Sequence, residues 1–270
     1  HDHELKSCRV ATCIRGVRFG TRRRSSVLVN GKHARRRWLD GLASHDRRET
    51  SVSKVPFDFP GRVTAEQQAA SLHEALAGWD GTSPLWLFGY GSLIWNPEVT
   101  YDRRITARVH GYHRRLCLWS RVNRGTLDCP GLVAGLDRGG SCAGVAYRLL
   151  AKTARDELER LWDREMFMGS YAPRWLDCRL SRQTEEGPLV SALAFVVRRD
   201  AKNYAGKLTE AEILAVFERG SCGRFGTSLD YLVKTVSSLR EHGLCDPHLE
   251  RLARHAGAQV LGPARPKMAS

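Results

Sequence analysis

No stretch of this 270-residue sequence approaches the roughly 18 consecutive apolar residues that a bilayer-crossing helix needs, which argues against a membrane-embedded protein. The first residues also lack the apolar block of a secretory signal, so the chain is expected to be soluble and not exported. Cysteine motifs are missing too. Eight cysteines stand at 8, 13, 117, 129, 142, 178, 222 and 245, with no Cys-x-x-Cys pair and no spacing that suggests a disulfide framework or a zinc site. They read as free thiols of a reducing compartment, the cytoplasm. His110 and His113 lie three apart in a strand-like run and would point to opposite faces, so a shared metal is not expected.

Acids are scarce relative to bases: 29 Asp and Glu face 43 Lys and Arg, a formal net charge of +14. Such an excess invites a nucleic-acid reading until its distribution is considered. Residues 1–55 hold 14 bases against 5 acids, and residues 85–256 hold 26 against 20. The excess is densest in runs such as Arg22-Arg23-Arg24 and Arg35-Arg36-Arg37, where little core-forming pattern is found. Residues 1–60 are therefore expected to be a basic, disordered extension, 61–257 one folded domain, and 258–270 a tail. A nucleic-acid partner is not favoured, and a monomer is.

What is present reads as strands first and helices late. Pro56, Pro60 and Gly61 break the chain, and Thr64-x-x-Gln67 forms a capping box ahead of Ala65, Ala69, Leu72, Leu76 and Trp79. Leu85-Trp86-Leu87-Phe88 is a compact apolar run of strand length, and further strand-like runs fall at 107–119, 131–136, 142–149, 173–180 and 190–198. One clear helix is expected at about 152–168, and two or three more between about 209 and 257. This order favours an α+β fold built on a mixed or barrel-like sheet with surrounding helices over regular βαβ alternation.

Two segments could carry chemistry. Phe88-Gly89-Tyr90-Gly91-Ser92-Leu93-Ile94-Trp95 leaves a strand and turns on two glycines one residue apart, which lets successive N–H groups converge on a carboxylate or an oxyanion. It is not a dinucleotide fingerprint, because a third glycine and a following helix are missing, nor a phosphate loop, nor the serine-hydrolase elbow. A tight turn without a ligand is the simpler reading of the same residues. In the helix 152–168, with Leu158 set at zero and about 100° per residue, Ala154, Leu161 and Trp162 fall within about 60° and Glu165 about 20° away. Asp156, Glu159, Arg160, Asp163 and Arg164 are expected on the solvated side. A carboxylate in the middle of an apolar stripe is costly unless paired, protonated or working, and burial raises its pKa. A Glu closing a structural hydrogen-bond network fits the same pattern.

In chain order, Gly89-Tyr90-Gly91-Ser92-Leu93-Ile94-Trp95, Arg124-Gly125-Thr126 with Pro130-Gly131, Gly144-Val145-Ala146-Tyr147-Arg148-Leu149, Trp162-x-x-Arg164-Glu165-Met166 and Gly226-Thr227-x-x-x-Tyr231-Leu232 resemble the landmarks of the ChaC family of γ-glutamylcyclotransferases. The resemblance covers about residues 84–256. It implies a mixed barrel-like fold, no cofactor, and a carbon–nitrogen lyase that converts glutathione to 5-oxoproline and cysteinylglycine. The glycine-rich loop of the family matches Tyr90, Gly91, Ser92 and Leu93, which by resemblance hold the γ-glutamyl group. Its catalytic glutamate matches Glu165, and Tyr204 sits where the family places another active-site tyrosine. Where the family commonly carries arginine after Pro130-Gly131, this chain has Leu132, leaving Arg124 as the nearest cation for a substrate anion. The alternatives are a cyclotransferase for other γ-glutamyl amino acids or amines, a basic nucleic-acid binder, and a noncatalytic adaptor on the same fold.

Overall fold

A computed structural model of the chain describes residues 62–257, and the expected extension 1–60 and tail 258–270 lie outside the described residues. Thr64 caps α1 (Ala65–Leu76) with the capping box its spacing predicts: its hydroxyl accepts from the Gln67 N–H, and Gln67 reaches back to the Thr64 N–H. Leu72 and Leu76 are the apolar side chains that α1 buries.

The apolar run predicted at 85–88 is β1 (Leu85–Gly89), buried along its whole length. β2 (Arg103–Ser120) and β3 (Gly131–Leu149) form one long antiparallel hairpin, from Arg103 opposite Arg148 to Ser120 opposite Gly131, with register shifts at Gly111 and Cys117. The sequence breaks β3 in two because Gly139 and Gly140 interrupt its apolar pattern. Both adopt positive φ, so the strand bends there and continues. β4 (Tyr171–Leu180) pairs antiparallel with β5 (Leu189–Val197), β2 pairs with β4, and β5 runs parallel to β1. The order β1-β3-β2-β4-β5 thereby closes into a barrel.

Alternation along β1 divides the core. Trp86 and Phe88 join Ile105, Val109, Leu136, Ala192 and Ala194 in a cluster made of strand residues, the barrel interior. Leu85 and Leu87 face outward and meet the helices: α3 (Ala151–Glu165), α4 (Glu210–Glu218), α5 (Ser228–Glu241) and α6 (Pro247–His255) all contribute to the second cluster. Both faces of β1 are therefore covered, which is why its sequence is apolar without a break.

Three local expectations need correction. A helix does follow the glycine-rich loop: α2 (Ser92–Trp95) is a single turn, too short to leave a periodic signal. α3 ends at Glu165, three residues earlier than expected, and the chain crosses to β4 through Gly169 at φ 61°. A two-residue hairpin, β6 (Cys222–Gly223) with β7 (Gly226–Thr227), precedes α5. Among the described residues no helix is long and apolar enough to cross a membrane.

Candidate active site

The glycine-rich turn connects β1 to α2 and is clamped from three sides. The buried Arg114 guanidinium donates to the Tyr90 and Ala143 carbonyls and pairs with Asp246 at 2.6 Å, tying the loop to β2 and to the cap of α6. The Tyr147 hydroxyl donates to the Leu93 carbonyl at 2.8 Å from the β3 side. From α3, Arg164 donates to the Ser92 hydroxyl at 3.2 Å and to the Asn96 carbonyl at 2.7 Å. Glycine is required at 91 for space: a Cβ there would stand 2.7 Å from the Tyr231 hydroxyl oxygen.

This turn forms one wall of a small, partly open cavity lined by Tyr90, Gly91, Ser92, Leu93, Ala134, Glu165, Tyr171, Phe195 and Tyr231. Five of the expected residues, Glu165 and Tyr90 to Leu93, are thus brought together from two segments more than 70 positions apart in the chain. Glu165 reaches the cavity because it is the last residue of α3, on the stripe formed by the buried Ala154, Leu158, Leu161 and Trp162. Its side chain keeps 14 % of its surface. Burial pushes its pKa above the ordinary carboxylate value; the Arg164 guanidinium, 3.1 Å away, pulls against that shift, and Glu98 adds to it.

Three tyrosines supply the phenolic hydroxyls of the cavity, beside Ala134 and Phe195. Tyr90 donates its hydroxyl to the Phe195 carbonyl at 2.7 Å. Tyr171 and Tyr231 enter from β4 and α5, and burial holds all three hydroxyls protonated, with the Tyr231 pKa pushed up to about 12. A carboxylate of raised pKa thus faces neutral donors, an arrangement suited to passing a proton without a second formal charge. Tyr231 stands within a motif already visible in the sequence and Tyr171 does not, and nothing in their spacing tells a pocket tyrosine from a core one.

Arg124 and Tyr204 are not brought to the cavity wall. Arg124 lies a layer behind it, its guanidinium 5.5 Å from the Tyr231 ring and 5.7 Å from the Trp95 ring, donating to the Phe225 carbonyl. Tyr204 donates at 2.9 Å to buried Asp137, which also pairs with Arg115 and Arg199, because the segment at 204 bridges to Leu118 on the far part of β2. Leu132 is fully buried in the core, so the position aligned with the family arginine packs here instead of binding an anion. Arg164, expected on the solvated face, is three-quarters buried over the end of α3.

A profile of the ChaC-like protein family matches residues 85–259. The chain is 38% identical over 189 residues to a glutathione-specific γ-glutamylcyclotransferase of Escherichia coli (strain K12), covering 70% of this chain and 80% of that one. It is 33% identical over 191 residues to glutathione-specific γ-glutamylcyclotransferase 1 of Danio rerio, covering 69% of this chain and 93% of that one. The fold matches the crystal structure of a γ-glutamyl cyclotransferase specific to glutathione from yeast with a TM-score of 0.59 at 23% identity, over 65% of this chain and 96% of that one.

Proposed function

Because the chain belongs to the ChaC-like protein family, we propose that it is a γ-glutamylcyclotransferase that converts glutathione to 5-oxoproline and cysteinylglycine, with Glu165 as the catalytic residue that moves the protons. The observation that carries this reading is a lone, partly desolvated carboxylate opposite a glycine-bearing turn in one small cavity. The α-amine of a γ-glutamyl group has a pKa of roughly 8 and must shed a proton before it can attack its own γ-carbonyl. Glu165 takes that proton as the new C–N bond closes the five-membered ring. It returns the proton to the cysteine nitrogen as the old C–N bond breaks, so one group serves as base and then acid. Attacker and carbonyl belong to the same molecule, so holding the substrate folded supplies much of the acceleration, and the chemistry calls for no protein nucleophile.

Tyr90, Gly91, Ser92 and Leu93 hold the γ-glutamyl group in this reading. The Ile94 N–H donates to the Gly91 carbonyl at 3.0 Å, and the Ser92 and Leu93 N–H groups ahead of it at the start of α2 serve a substrate carboxylate or the oxyanion in this reading. Ser92 binds and does not attack. The Arg124 charge acts through the Tyr231 wall. Residence in the cytoplasm fits the thiols, since Cys117, Cys129, Cys142 and Cys178 are free and burial pushes Cys117 and Cys178 up to about 12.

The test is to incubate the purified protein with glutathione and measure 5-oxoproline and cysteinylglycine. Equal release of both is expected, and no turnover of glutathione whose α-amine is acetylated. Release of glutamate in place of 5-oxoproline would show attack by water, and preference for another γ-glutamyl amino acid or amine would move the substrate assignment.

A further inference from the structure

Neighbouring residues on a helix point about 100° apart and do not normally face one another. Arg164 and Glu165 are an exception: α3 stops at Glu165, and the Arg164 side chain folds over the exposed end of the helix to place Nε 3.1 Å from Glu165 Oε1. Its other two nitrogens leave the helix altogether. Nη1 donates to the Asn96 carbonyl at 2.7 Å and to Glu98 Oε2 at 3.0 Å, and Nη2 donates to Ser92 Oγ at 3.2 Å. One planar guanidinium therefore contacts the cavity loop, the segment that follows it, and the carboxylate across the cavity.

The far end of this bridge is itself unusual. Glu98 has φ 51°, the one positive φ outside glycine among the described residues, and it also accepts from Asn96 Nδ2 at 2.7 Å. A non-glycine residue in that conformation persists when surrounding contacts over-determine it, and the Arg164 pair is such a contact.

We propose that Arg164 is a positioning residue: by bridging Ser92, Asn96 and Glu98 to Glu165, it fixes the loop that holds the γ-glutamyl group at a set distance from the carboxylate that moves the protons. The inference rests on the assignment of Glu165 made above. The groups facing Glu165 are Arg164 from α3, Glu98 from the segment after α2, Tyr90 from the turn after β1, Tyr171 from β4 and Tyr231 from α5. The tyrosines are neutral throughout the working range, so Arg164 and Glu98 are the charges that set the ionisation of Glu165.

Two consequences separate this role from mere packing. Arg164→Gln removes a cation, so the acidic limb of kcat/KM, where Glu165 loses its proton, should move up by at least about half a pH unit. Glu98→Gln removes a like charge and should move the limb down. Arg164→Lys keeps the charge but not the fork, because an ammonium cannot span the same four partners from one plane, so its limb should stay near wild type while kcat falls. On the alkaline plateau of each profile, kcat of Arg164→Gln should be about tenfold lower than wild type.

The experiment is a pH profile with glutathione for these three variants, with Glu165→Gln in parallel. A limb that stays in place in Arg164→Gln, or a kcat within about threefold of wild type, overturns the proposal. If Arg164→Gln does not fold, Arg164→Lys decides: wild-type kcat overturns the proposal, and reduced kcat at an unmoved limb supports it. Active Glu165→Gln would place the fault in the Glu165 assignment. Inactive Glu165→Gln beside an unaltered Arg164→Gln would sink the Arg164 role alone.

Discussion

At the scale of single residues, Glu165 is an unfavourable group for folding, and its sign with pH can be worked out. Its folded pKa is raised above the ordinary value of 4.5. Between those two pKa values the native state binds more protons than the unfolded chain, so stability falls as pH rises through that window. Glu165→Gln removes the titration, with nearly the same volume against Leu158, Leu161 and Trp162. The melting temperature of the variant should therefore equal that of the wild type near pH 4 and exceed it increasingly toward pH 7, while kcat drops at least about 100-fold, the scale of a proton-transfer residue. A Glu that only closes a structural network would give the reverse, a variant less stable at pH 7 with turnover retained. Glu165 was legible because it interrupts an apolar stripe at helical spacing, a pattern that needs no third dimension. Arg164 was not: the same angular reading puts it among Asp156, Glu159 and Asp163 in solvent, and only the early end of α3 lets it turn inward.

Among the elements, the barrel strands were legible wherever both faces are buried, as in β1, and blurred where glycine bends a continuous strand, as at Gly139 and Gly140. The turn from β1 into α2 was seen as a cradle, but its supports come from sites distant in sequence: Arg114 on β2, Tyr147 on β3, Tyr231 on α5. No local pattern announces those. The Gly91–Tyr231 approach gives a direct check. Gly91→Ala places a methyl 2.7 Å from the Tyr231 hydroxyl oxygen but 4.0 Å from its ring carbon, so the clash is with the oxygen alone. Gly91→Ala should lower the melting temperature, and adding Tyr231→Phe should return part of the loss, a coupling expected only for groups in contact. Strictly additive melting temperatures would show that the turn relaxes without pressing on Tyr231.

For the whole molecule, the question is which part of the chain the site depends on. The family profile begins at Leu85, yet the described fold begins earlier, because the Val63 N–H donates to the Phe167 carbonyl at 2.8 Å, beside the end of α3. α1 is joined to the rest in two more places: Trp162 donates to the Ser71 hydroxyl at 3.4 Å and Trp175 to the Ala75 carbonyl at 2.8 Å. Leu72 and Leu76 cover the same face of α3 from which Glu165 projects. Residues 1–60, by contrast, hold most of the excess positive charge and little apolar periodicity. Two truncations should therefore separate sharply. Removing residues 1–60 should leave kcat/KM for glutathione within about threefold of the full chain. Removing residues 1–80 strips two buried leucines and a capped helix from α3, a loss of about 2 kcal/mol or more for each leucine, and should lower the melting temperature and kcat together. A tenfold loss of kcat/KM in the shorter truncation, with its melting temperature unchanged, would make the basic segment part of the active site.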